Sequence, residues 1–130
     1  MIDQTSQFGK YNAVIALGGG STMDMDKADN AYACYPPEDG DFYAYVNRPL
    51  GKGLPVPGPL TPLIAISTTA GTGSETTKIA IFDDVPPKSK TGIASRHLQP
   101  ILEIIDPNNI KSIPQSLAKY SVMWTSYAMF

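Results

Sequence analysis

Twice in 130 residues an apolar run breaks directly into a glycine-rich polar loop, and this repetition limits the fold more than any other feature. AVIAL, Ala13 to Leu17, runs into GGGSTMD, and LIAI, Leu63 to Ile66, runs into STTAGTGSETT. Runs that are apolar in both parities are the pattern of strands covered by helices on each side. Gly18, Gly19 and Gly20 end the first run; Ser21 is placed to cap a helix, with Asp24 completing a capping-box-like pair and adding a favourable charge to the first turn. The spacing predicts a helix from about Thr22 to Ala33, with Ala28, Ala31, Tyr32 and Tyr35 on one side and Asp26, Asp29 and Asn30 on another. Strand, glycine turn and helix open a β-α-β unit, so the expected fold class is α/β. At roughly 100–200 residues per domain, the chain is one domain or part of something larger.

Between Pro36 and Pro62 the composition shifts to Pro and Gly, which predicts a long surface connection in place of regular structure. Phe42, Tyr43 and Tyr45 are placed to pin part of it down as a short helix. Ile79 to Phe82 and Thr91 to Ala94, separated by DDVPPKSK, suit a β-hairpin excursion. Ile101 to Ile105 is a third core-type strand, and Pro114 can open a helix running to Phe130.

Composition removes several function classes. Lys plus Arg is 10 against 12 for Asp plus Glu, a formal charge of -2, which argues against bulk capture of nucleic acid or an anionic membrane. The apolar runs fall far short of the ~18 residues of a spanning helix, so a soluble chain is expected. The start MIDQTSQFGK has neither the apolar core of a secretion signal nor the character of a transit peptide. Cys34 is the only cysteine and His97 the only histidine, so no compact site of several nitrogen and sulfur ligands can come from this chain alone.

A glycine turn between strand and helix removes side chains where a phosphate must come close and leaves helix-start N–H groups pointing at it. LGGGSTMD suits that chemistry, yet Met23 stands where the third glycine of G-x-G-x-x-G belongs, and no Lys-Ser/Thr follows as in a P-loop. AGTGSE repeats the design: Gly71 and Gly73 permit close approach, and Thr68, Thr69, Thr72 and Ser74 offer hydroxyls. Two such loops after two parallel strands would share one carboxyl edge, where α/β proteins bind ligands. Other readings fail on spacing. Counting a calcium loop from Asp24 puts Asp29 where Gly is required and Tyr35 where the bidentate Glu belongs, so the acid cluster reads as a solvated helix face. A nucleophile elbow at Ser21 lacks its final glycine and has only His97 as a base. Glu38, Asp39 and Asp41 read as loop solvation.

GGGSTMDMDK resembles the GGGS-x-x-D-x-x-K segment of the iron-dependent (group III) alcohol dehydrogenases, and STTAGTGSETT resembles their P-T-T-x-G-T-G-S-E segment. DFYAYVNRPLGKGLPVPGPLTPLIAI, KTGIASRHLQP and IIDPNNIKSIP resemble the hydroxyacid-oxoacid transhydrogenase branch, a mitochondrial group. The resemblance implies a Rossmann-like parallel-sheet NAD-binding domain with a hairpin excursion, followed by a helical domain that holds iron or another divalent metal. It implies that Gly19, Gly20 and Ser21 hold the pyrophosphate with Asp24 supporting the turn. Thr68, Thr69 and Thr72 would then line the nucleotide, and Lys90 would reach a cofactor hydroxyl or phosphate. It also implies hydride transfer from 4-hydroxybutyrate through NAD to 2-oxoglutarate, with small hydroxyacids and oxoacids as substrates, no nucleic-acid or membrane partner, and room for a homo-oligomer.

The departures carry expectations of their own. Asp26 and Ser67 stand where the family usually has Ala and Pro, and KYSVMWTSYAMF stands where it supplies its first metal ligands. The family's first strands would precede Met1. Residues 1–107 are therefore expected to be a partial dinucleotide-binding domain and 108–130 a linker and the start of the helical domain, in a chain that is incomplete and inactive by itself. The alternative is a non-catalytic fragment that keeps a nucleotide- or partner-binding surface.

Overall fold

The computed structural model describes residues 11–84, 89–111, 113–116 and 118–119. Strand β1 (Val14–Gly18) leads into helix α1 (Gly20–Cys34), and β2 (Leu63–Ser67), the hairpin strands β3 (Ile79–Asp84) and β4 (Ser89–Ala94), β5 (Leu102–Ile105) and the single turn α2 (Pro107–Ile110) follow. β1, β2 and β5 form a parallel sheet in that order, while β3 and β4 pair antiparallel as a separate ribbon. The expected α/β unit with a hairpin excursion is therefore present. In the ladder Val14 lies opposite Leu63 and Gly18 opposite Ser67, so both glycine loops leave the sheet at the same edge.

α1 covers one face of this sheet. Met23, fully buried, packs on Val14, Ala16, Leu63 and Ala65. A second cluster joins Ala28 and Ala31 of α1 to Ala80 and Ile93 of the hairpin, with Tyr45, Val56 and Leu98. The opposite sheet face is bare among the described residues: Ile15 is 64% and Leu17 59% exposed, and β5 is exposed along its whole length. The expectation that these runs are buried on both faces holds for one face only, because α1 is the one long helix among the described residues.

The helix begins earlier than its sequence suggests. Gly19, with φ -83° and ψ -177°, is the N-cap, and no side chain caps the turn, so Ser21 lies inside the helix instead of preceding it. Three glycines impose no steric demand, and the chain turns into the helix as soon as the strand ends. Asp24 falls beyond the first turn and is buried with Lys27 and Asn30, while Asp26 and Asp29 are half-buried, so the face expected to be solvated is only partly so. Asn30 Nδ2 donates to Thr61 O at 2.7 Å, which fixes the approach to β2.

The Pro- and Gly-rich connection does contain the aromatic anchor, though not as a helix. A short 3-10 turn spans Glu38–Gly40, and turns continue to about residue 51. Tyr45 is buried and donates its hydroxyl to Tyr35 O at 2.8 Å, while the Tyr32 and Phe42 rings stack at 5.5 Å. Side-chain packing supplies the order that backbone regularity does not. At the other end, Ala118 N donates to Pro114 O at 3.0 Å, as a helix opening at Pro114 requires; residues 117 and 120–130 of that expected helix lie outside the described residues. No helix among the described residues is long and apolar enough to cross a membrane.

Candidate functional site: two glycine loops at one sheet edge

The parallel register brings the loops into contact. Thr68 N donates to Gly18 O at 2.9 Å, joining the second loop to the end of β1. A Cβ on Gly19 would lie 3.2 Å from Thr69 Cγ2, and one on Gly20 would lie 2.9 Å from Cβ, Cγ2 and Oγ1 of Thr72. A side chain at position 20 would force Thr72 to move, and one at position 19 would press on Thr69, which would have to give by a few tenths of an ångström. Within the second loop, Gly73 has φ +68°, a left-handed conformation that residues with a Cβ rarely adopt. That conformation reverses the chain so that Thr76 N can donate to Gly73 O at 3.0 Å.

The donors here are unpaired. Met23 N donates to Gly19 O at 3.1 Å as the first bond of α1, and the amides of Gly19, Gly20, Ser21 and Thr22 have no partner among the described residues. Thr69 Oγ1 is buried against Gly19 and has no hydrogen-bond partner either. A buried hydroxyl left unsatisfied costs about 1–3 kcal/mol, so this cluster suits an oxygen-rich anion that would accept from the amides and meet the hydroxyl. The residues present thus fit a phosphate group.

Not every expected residue lies there. Thr68 commits its amide to Gly18, leaving its hydroxyl. Asp24 does not face the turn. Its Oδ2 accepts from Ile81 N at 3.2 Å and its Oδ1 lies 3.4 Å from Lys27 Nζ, so it supports the hairpin. Its place on α1, four residues past the first helical position, turns it towards β3. Lys90 is exposed on β4, 3.9 Å from Asp83, and meets Ser21 only as part of the lining of a groove of about 460 Å³ between α1 and the hairpin, with Met25, Tyr32 and Phe82.

Sequence reasoning missed Lys27. It has no solvent exposure, and its ammonium donates to Thr77 Oγ1 and Ile79 O, both at 3.0 Å, besides Asp24. Burial pulls its pKa down, while Asp24 and the Glu75 carboxylate act in the opposite direction. The available signal was the Asp24–Lys27 spacing of three, which sets the two side chains on one helix face. At the preceding residue, burial and then Asp29 push the Asp26 carboxyl up to about 6. Among the described residues no group of three His, Cys, Asp or Glu could hold a metal ion, so they do not fit an iron or similar site.

Known proteins resemble this chain in sequence and in fold. The sequence profile of the iron-containing alcohol dehydrogenases matches residues 1–107. The chain is 57% identical over 114 residues to "Probable hydroxyacid-oxoacid transhydrogenase, mitochondrial" of Dictyostelium discoideum, covering 85% of this chain and 21% of that protein. It is 56% identical over 106 residues to "Hydroxyacid-oxoacid transhydrogenase, mitochondrial" of Rattus norvegicus, covering 82% and 22%. The chain thus spans about a fifth of the length of these relatives. A crystal structure of sulfoacetaldehyde reductase from Bifidobacterium kashiwanohense in complex with NAD+ superposes with a TM-score of 0.78 at 29% identity, covering 95% of this chain and 32% of that one. With the profile matching most of its length and both glycine loops in place, the chain belongs to the iron-containing alcohol dehydrogenase family.

Proposed function

We propose that this chain supplies the diphosphate-binding part of an NAD-dependent oxidoreductase of the hydroxyacid-oxoacid transhydrogenase type. The observation that carries the reading is the contact of Gly19 with Thr69 and of Gly20 with Thr72, beside four unpartnered helix-start amides. In this reading the amides of Gly19, Gly20 and Ser21 donate to the diphosphate, and Thr69 Oγ1 gives its buried hydroxyl to the same group. Thr68 and Thr72 offer hydroxyls to the adjoining ribose, and Lys90 closes on a hydroxyl or phosphate from the hairpin. Asp24 takes part only at one remove, through β3. When bound, NAD would accept hydride from an alcohol and pass it to a carbonyl.

The similarity to the Dictyostelium and rat proteins supports 4-hydroxybutyrate and 2-oxoglutarate as the substrate pair, and a mitochondrial setting, for the longer protein to which this segment corresponds. Residues 108–130 would then begin its helical part. The described residues hold no metal-ligand set, so what they contribute is binding and orientation. Titrating NAD into the 130-residue chain tests the binding reading: saturable heat supports it, and no binding at millimolar cofactor overturns it. Conversion of 4-hydroxybutyrate and 2-oxoglutarate to succinate semialdehyde and 2-hydroxyglutarate by a longer protein containing this segment tests the substrate assignment.

A further inference from the structure

Both family motifs send a charged residue to the same buried point. Lys27, from GGGSTMDMDK, is fully buried, and its Nζ is met by Asp24 Oδ1 at 3.4 Å, Thr77 Oγ1 at 3.0 Å and Ile79 O at 3.0 Å, with the Glu75 carboxylate of the second motif acting on it electrostatically. An ammonium removed from water needs such a complete set of oxygens, and taking away one partner leaves a costly uncompensated group. Two of the three oxygens, Thr77 Oγ1 and Ile79 O, lie where the second glycine loop runs into β3, 50 and 52 residues away in sequence. Ser74 N donates to Thr72 Oγ1 and Thr76 N to Gly73 O; these bonds shape the loop internally without fixing its distance from α1. Lys27 spans that distance.

We propose that Lys27 is a positioning residue for the cofactor site: its ammonium draws the Thr77–Ile79 segment onto α1 and so holds Thr69 and Thr72 against Gly19 and Gly20. The proposal rests on the reading that these loops bind the NAD diphosphate. Asp24 completes the device by neutralising the ammonium and fixing Ile81 N, which seats the hairpin that carries Lys90. The side chain touches no ligand itself. It sets the spacing between two groups of donors, and a shift that carries one group beyond about 3.2 Å of its acceptor forfeits those hydrogen bonds.

The test compares NAD dissociation constants by calorimetry, well below the melting temperature of every protein used. The double variant Lys27→Met/Asp24→Asn removes the ammonium without leaving a buried carboxylate, and the amide oxygen introduced at position 24 can still accept from Ile81 N. Leu63→Ala serves as the control: it lowers stability from the end of β2 remote from the loops. Binding by the unaltered chain, a tenfold or greater loss in the double variant and an unchanged constant in Leu63→Ala are the expected results. Equal affinity in the double variant and the unaltered chain overturns the proposal while the cofactor reading stands. Equal losses in the double variant and the control also overturn it, because the effect is then general softening. No binding by the unaltered chain ends the cofactor reading and the proposal with it. If the double variant does not fold, Thr77→Val, which removes one loop-side acceptor, takes its place in the same comparison with a several-fold loss expected.

Discussion

A Cβ built on Gly20 would stand 2.9 Å from three atoms of Thr72, although the two residues lie far apart in the chain. The first loop can be side-chain-free only because the second supplies the side chain. Gly20→Ala would improve helix propensity by up to about 1 kcal/mol, but it forces Thr72 away at an overpacking cost of about 1–3 kcal/mol. The expected outcome is a small change in melting temperature and a loss of NAD affinity of roughly tenfold or more. Calorimetric titration beside thermal unfolding checks both parts.

Thr69→Val keeps the shape of the side chain and removes a hydroxyl that has no partner. Without ligand, the variant is expected to match or exceed the parent in stability by up to about 1 kcal/mol, since an unsatisfied polar atom has gone. NAD affinity should fall by roughly tenfold, the equivalent of one hydrogen bond. A variant that is both less stable and undiminished in binding would show that the hydroxyl serves the fold.

Lys90 is 79% exposed in its side chain and only 3.9 Å from Asp83, a loose surface pairing that leaves the ammonium available. Lys90→Ala is expected to leave unfolding unchanged and to weaken NAD binding by a few-fold at low salt, with the difference shrinking as ionic strength rises and the Debye length falls to about 8 Å. Titrations at low and physiological salt read this directly.

Asp26 gives a pH signature with an unusual sign. Burial first, and Asp29 second, raise its carboxyl from 3.8 to about 6 in the folded chain. Between those values the folded state binds more protons than the unfolded one, so this group's contribution to stability declines as pH rises through the window. The penalty is complete above about pH 6 and absent below 3.8. Asp26→Asn removes it. Because the side chain is only partly buried and solvent screens it, the gain at pH 7 is about 1 kcal/mol, vanishing towards pH 4. Urea unfolding of parent and variant across this range isolates the contribution as their difference.

Much of this was legible in the sequence because local rules coincide there. β1, β2 and the hairpin each pair a short apolar or alternating run with a nearby turn signal, and each lies within a residue or two of its expected bounds. The loops' shared edge followed from two parallel strands in one sheet. Asp24 and Lys27 were hidden for a physical reason: their partners Ile81, Thr77 and Ile79 lie 50 to 57 residues away, and a helical Asp–Lys pair reads from sequence as a solvated face. The bare sheet face was hidden as well, because the apolar pattern of Ile15, Leu17 and Ile104 encodes a cover that is absent among the described residues.

Gly18 faces Ser67 across a parallel ladder, so the two glycine turns start level and point the same way. Length, then, is the property that selection must guard. One residue inserted into either turn would shear it past its neighbour by up to ~3.3 Å, a full strand step, whatever amino acid was added. Exchanges of side chain should accordingly be commoner here than insertions or deletions among proteins that keep the function.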